Sequence, residues 1–124
     1  MRILLAIVLL GHAFAHLPGF LVFWRLATLK ELPYGTTLVA GSIDVGDTGI
    51  RVVGILWLIA ALGFAACGVG LLARTPWWLS STVAVSTFSL VLCISGWPAA
   101  RIGVVVNVAI LAFLLADTRV GWLP

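Results

Sequence analysis

Two histidines, His12 and His16, stand one helical turn apart inside the first long apolar run of the chain. At that spacing both rings leave one face of a helix. Ionisable side chains within an apolar span are costly unless they meet a partner or a polar cavity, which makes the pair a candidate functional site. Imidazole can bind a metal, ligate a haem or relay a proton. The spacing narrows that choice. Nitrogens at i and i+4 can share one small ion but cannot sit as opposite axial ligands of one haem, and no Cys or acid stands close in sequence to complete a zinc site. The plain structural reading of the pair is neutral imidazoles making hydrogen bonds between helices.

Other polar side chains in apolar surroundings are few. Thr82, Ser86, Ser89 and Cys93 step by four, three and four, so they form one stripe on a helix, and Asn107 is the one amide in the last apolar run. Such a stripe either lines a polar cavity or joins helices, each bond contributing about 0.6 to 2 kcal/mol in a membrane; we expect the joining role, with the stripe turned inward. Asp44, Asp47, Arg51 and Arg101 fall where the runs break, and with His16 and Trp57 they can meet in a polar vestibule. The expected ligand site is therefore His12, His16, Trp57, Asp47, Arg51, Arg101 and Asn107.

The chain lacks HExxH, GxSxG, paired carboxylates within apolar runs and a phosphate-cradling glycine loop, so no catalytic residue or metal ligand is assigned. Asp44-Val45-Gly46-Asp47 has neither the alternating acids nor the terminal Glu of an EF-hand loop. Cys67 and Cys93 are expected at different depths, offset by roughly nine residues or ~13 Å of helical rise, too far for a bridge.

These residues need elements to hold them. With 63% hydrophobic and 9% charged residues, against about half and a quarter in soluble domains, the chain cannot coat itself for water, so lipid is the expected solvent. Residues 1–124 read as one membrane domain: an all-α, four-transmembrane-helix antiparallel bundle. The expected helices are approximately 3–24, 52–73, 77–96 and 99–116. Each is close to the length that ~1.5 Å of rise per residue needs to cross a ~30 Å hydrocarbon core. Pro76 and Pro98 separate the later runs. The long loop 25–51 carries Glu31, Asp44 and Asp47. Its Leu38-Val39-Ala40 and Ile43-Asp44-Val45 flank Gly41-Ser42, which predicts a short β-hairpin, and Asp47 or Thr48 is placed to cap the second helix.

Gly11, Ala15 and Gly19 recur every four residues beside the histidine face, and the second run offers Ala61, Ala65, Ala66 and Gly70. This predicts that the first two helices meet over small residues, with Gly54 helping and the histidines at the seam. Trp24 and Trp97 fall at one end of the predicted bundle and Trp77, Trp78 and Trp122 at the other, as expected of interfacial tryptophan; only Trp57 lies within a span. The opening residues also have the layout of a signal peptide, but the apolar run resumes at Phe20, and we read an uncleaved first span. Basic residues sit singly at the breaks rather than in a patch, which argues against nucleic acid. The three loop acids offset Arg25, Lys30, Arg51 and Arg101, so the termini are expected in the cytoplasm and the protein in the plasma (inner) membrane.

The layout of a short chain of four spans, with a long first loop after Leu17-Pro18-Gly19-Phe20 and a Gly/Ala-rich second helix leading through Arg74-Thr75-Pro76-Trp77-Trp78, resembles the small four-helix membrane proteins grouped as DoxX-like. That resemblance implies a subunit of a quinone-linked oxidoreductase, or a partner of redox enzymes or assembly factors. No family residue transfers to His12 or His16.

Three functions follow as expectations. The first is a non-catalytic accessory or self-associating module, embedded in the lipid bilayer as a homo-oligomer or beside other membrane subunits. The second is a cofactor or lipophilic-ligand protein, for a quinone, haem or lipid, using the His pair. The third is a small dimeric transporter with a path past Asn107 and the hydroxyl stripe.

Overall fold

The computed structural model describes residues 1–123 and holds four helices and one two-stranded ribbon: α1 (Arg2–Phe23), β1 (Thr37–Leu38), β2 (Ile43–Asp44), α2 (Gly46–Leu72), α3 (Trp78–Ser95) and α4 (Arg101–Val120). All four helices are long and apolar enough to cross a membrane. Two depart from the expected bounds. α2 begins at Gly46 instead of Val52, which takes Asp47 and Arg51 out of the loop and into the helix. Asp47 lies in its first turn, where a negative charge meets the exposed N–H groups and the positive end of the helix dipole. Neither Asp47 nor Thr48 is the cap, because that place falls to Val45, which makes no side-chain cap bond. α4 runs on past Ala116 to Val120, and Gly121, at φ 72°, ends it by donating its N–H to the Asp117 carbonyl.

Consecutive helices pack, and the two ends of α1 meet opposite ends of α2. Arg2 Nη1 donates to the Leu71 carbonyl at 2.8 Å, and Trp24 Nε1 donates to the Arg51 carbonyl at 3.0 Å, at the two ends of α1 against α2. The close approach between α1 and α2 is not small residue against small residue, as predicted. Bulky side chains fill glycine hollows: Trp57 lies against Gly19, Trp24 against Gly54, and Leu10 against Gly68. Gly11 and Ala15 turn away from α2, and a Cβ added at Gly11 would meet nothing within 4 Å. Pro18 stays within α1, leaving the Phe14 carbonyl without its usual i+4 donor while the rest of the ladder continues.

Two clusters make the core. Leu5, Leu9, Phe64, Leu71, Ile110 and Leu114 fill one half, and Trp57, Ala60, Leu92 and Cys93 fill the other. The hydroxyl stripe faces inward as predicted: Thr82, Ser86 and Ser89 are fully buried, as is Asn107. Both cysteines are free thiols.

The predicted hairpin exists with a different turn. β1 and β2 pair antiparallel, Thr37 opposite Asp44 and Leu38 opposite Ile43, so Val39 to Ser42 form the turn rather than Gly41-Ser42 alone. Val39, Ala40 and Gly41 have φ of 52°, 54° and 82°, a left-handed run that is unfavourable for a β-branched residue. The reason lies at the far end of α3. Val39 N–H donates to the Ser95 carbonyl at 2.8 Å and Ala40 N–H to the Trp97 carbonyl at 3.0 Å, so the hairpin tip satisfies the last carbonyl of α3 and one just beyond its end.

Candidate functional site: a buried histidine cluster beside a lateral cavity

His12 and His16 leave α1 one turn apart and meet at right angles, ring centroids 4.5 Å apart. Phe64 of α2 lies 4.7 Å from the His12 ring and 5.4 Å from that of His16, and Trp57 lies 5.1 Å from His16. Aromatic faces thus enclose the pair on the α2 side. His12 is 6% exposed and His16 1%.

Hydrogen bonding fixes the state of His16. Its Nδ1 lies 2.7 Å from the His12 carbonyl oxygen, which can only accept, so Nδ1 carries the proton. In the neutral ring Nε2 is then an acceptor, and the Ser89 hydroxyl, 2.6 Å away, donates to it. Ser89 Oγ in turn accepts from Asn107 Nδ2 at 2.9 Å, and the second Asn107 N–H goes to the Gly103 carbonyl, also at 2.9 Å. The chain of donors runs from α4 through α3 to α1 in one direction. Cys93 Sγ stands beside it, 3.6 Å from Asn107 Nδ2. Among the described residues, the buried side-chain atoms His12 Nε2, Ser86 Oγ and Asn107 Oδ1 lack a partner in good hydrogen-bond geometry, although the His12 ring lies within interacting reach of the Asn107 side chain. Among the described residues no three His, Cys, Asp or Glu side chains converge as a metal site.

Beside the cluster, between α1 and α4, lies a cavity of about 650 Å³, within the ~300 to 1,000 Å³ typical of small-molecule sites. Gly11, His12, Ala15 and His16 form its α1 wall, Ile102 and Gly103 of α4 with Ala99 just before that helix form the opposite wall, and Trp57 and Cys93 also line it. Leu29, Glu31 and Leu32 of the long loop reach its edge. A second hollow of about 400 Å³ shares Val8 and Val106 with it and continues between the same two helices to Met1 and Phe113. The interior surface is overwhelmingly apolar, with the histidines as its main polar feature.

The predicted site divides. His12, His16, Trp57 and Asn107 come together, Asn107 directly behind the wall formed by Cys93 and Gly103. Asp47, Arg51 and Arg101 do not join them. Asp47 accepts hydrogen bonds from Tyr34 and from Arg25, the latter at 3.1 Å, and the Arg25 guanidinium lies over the Tyr34 ring. Arg51 reaches back over Trp24, 5.6 Å from the ring centre. Arg101 is exposed at the start of α4. The vestibule fails because Asp47 and Arg51 belong to the first turns of α2, whose surface they share with Arg25, Tyr34 and Trp24. Asp44 is also committed: the Gly46 N–H and then the Thr36 hydroxyl hold its carboxyl below the ordinary carboxylate range.

Sequence reading missed the α4 wall and the loop residues at the cavity edge. Ala99, Gly103 and Asn107 recur every four residues, a signal of close approach that was available. Nothing local could place Leu29, Glu31 and Leu32. No family model, curated protein or solved structure matches the chain.

Proposed function

We propose that this protein is an integral membrane protein that holds a lipophilic small molecule in the cavity between α1 and α4. The four helices cross the bilayer in alternating directions, and both termini face the cytoplasm of a plasma (inner) membrane. The observation that carries the reading is the cavity itself: apolar, large enough for a ligand, open between two helices, and bordered by buried histidines. Small residues support it: Gly11 and Ala15 border this space instead of seating α1 on α2, and Ala99 and Gly103 face them from the other wall. The accessory module read first from the sequence rested on the lack of catalytic motifs and on small-residue surfaces; of those surfaces, Gly11 and Ala15 border the cavity, which supports the ligand reading.

A role beside other membrane subunits stays as a second reading, favoured by large apolar side chains such as Phe14 and Ile102, 76% and 72% exposed. A transporter path along the hydroxyl stripe draws less support, because of the stripe only Cys93 borders the cavity.

The test is extraction from native membrane followed by mass spectrometry of small molecules that co-purify. The native chain retains a lipophile in stoichiometric amount, and Gly11→Leu, which fills open space, loses it while remaining folded. Equal retention by both chains would remove the proposal.

A further inference from the structure

We infer that the ligand carries an ammonium group, held by the carboxylate of Glu31 at the loop end of the cavity, with an apolar chain lying along the seam between α1 and α4. The inference rests on the cavity reading above and adds the ligand's chemistry. Hydrocarbon already solvates an apolar chain, so a groove open to lipid gains little by burying one. A polar anchor must therefore select the ligand.

Most ionisable groups on the lining are already engaged. Both ring nitrogens of His16 are bonded, one to the His12 carbonyl and one to Ser89. The His12 ring lies within reach of the Asn107 side chain, and Cys93 Sγ accepts from the Asn107 amide. Glu31 is not engaged, and it is the one Asp, Glu, Lys or Arg on the lining. The other three acids of the chain have partners: Asp44 has Thr36 and the Gly46 N–H, Asp47 has Tyr34 and Arg25, and Asp117 has the Leu123 N–H at 2.8 Å. Among the described residues the Glu31 carboxylate has neither a hydrogen bond nor an ion pair. Although the chain's net charge is +3, no basic side chain borders the cavity. Lys30 is exposed and off the lining, and Arg25 is held by Tyr34 and Asp47.

A carboxylate beside an apolar space favours a cation over a neutral donor, because charge-assisted hydrogen bonds are the stronger kind. The placement suits an amphiphile. Glu31 belongs to the long loop, and from that end the space runs between α1 and α4 past Val8 and Val106 into the second hollow. The head stays where water meets hydrocarbon while the chain follows the seam. The ligand class is therefore a long-chain amine, either free or as the amine headgroup of a lipid.

The experiment compares dodecylamine with dodecanol at equal mole fractions in dodecyl maltoside micelles, reading affinity from the thermal stabilisation of the whole protein. An ion pair at the rim predicts about three- to fivefold tighter binding of the amine, an advantage that shrinks with added salt. In Glu31→Gln, a change at an exposed loop position, the amine falls to the level of the alcohol, while Asp47→Asn keeps the difference. Lysophosphatidylethanolamine separates the two sources: Glu31-dependent binding of it assigns a lipid headgroup, and binding of dodecylamine alone assigns a free amine. Equal affinity of amine and alcohol for the native protein, or an undiminished advantage in Glu31→Gln, overturns the ammonium assignment and leaves the cavity reading standing. If neither probe stabilises the native protein, the cavity reading falls with it.

Discussion

The Ser89 hydroxyl donates to His16 Nε2 across 2.6 Å, tying α3 to α1 in the middle of the protein. In water such a bond competes with solvent. In an apolar interior its loss leaves His16 Nε2 without a donor, and removing the hydroxyl also takes from Asn107 Nδ2 one of its two oxygen acceptors.

Ser89→Ala therefore destabilises the fold by about 1 to 2 kcal/mol, measured by reversible unfolding in mixed detergent micelles. Thr87→Ala is the control. Its hydroxyl is exposed and bonds the Val83 carbonyl of its own helix, so its effect stays within about 0.5 kcal/mol. Equal effects would show that the bond between helices contributes nothing special.

Gly19→Ala and Gly11→Ala separate two glycines of one stripe. A methyl at position 19 stands 2.7 Å from Trp57 Cγ and Cδ2, atoms near the root of the ring that cannot swing aside cheaply. Overpacking of this kind costs about 1 to 3 kcal/mol. At position 11 the methyl meets open space, and stability is retained or slightly raised by the better helix propensity of Ala. The same unfolding assay reads both.

The hairpin responds to acid through Asp44. The folded state holds this carboxyl below its ordinary range by the Gly46 N–H and the Thr36 hydroxyl. A depressed folded-state pKa adds stability that is fully present above the unfolded pKa and is lost as pH falls through the folded one. Amide exchange at Gly46 should accelerate beyond its normal pH dependence as solution is acidified past the usual carboxylate range. Asp44→Asn should abolish that extra dependence and exchange faster at neutral pH; an unchanged profile would refute the coupling.

Charges outside the cavity should not govern ligand retention. Asp47→Asn, Arg51→Gln and Arg101→Gln leave the amount of co-purified lipophile unchanged, because their side chains serve the loop and helix ends. A loss in any of them would restore the vestibule.

Val39→Asn tests the strained turn. Asn tolerates the left-handed region that Val39 occupies, and the N–H to Ser95 is retained. Relief of strain is worth roughly 1 kcal/mol, seen as a raised unfolding midpoint.

Sequence alone determined the number of helices, because a chain with so few charges must satisfy its backbone within helices, and the apolar runs and prolines mark where they start and stop. It also placed His12 and His16 on one face and turned Thr82, Ser86 and Ser89 inward, since helical periodicity is a local property. The helix ends were less legible. Asp47 and Asp117 look like loop residues by polarity, yet helix extension past an apolar run costs little when the added turns face water.

Which faces meet was decided only by tertiary packing. The small residues of α1 read as a seam for α2, but a glycine hollow accepts a bulky partner as readily as a small one, and Trp57 and Leu10 supplied the bulk. That choice turned Gly11 and Ala15 toward α4 and opened the cavity. The link from His16 through Ser89 to Asn107 likewise joins residues 73 and 18 positions apart in sequence. Nothing in the one-dimensional order distinguishes those partners from other polar groups of the chain; depth and rotation of each helix bring them within bonding distance.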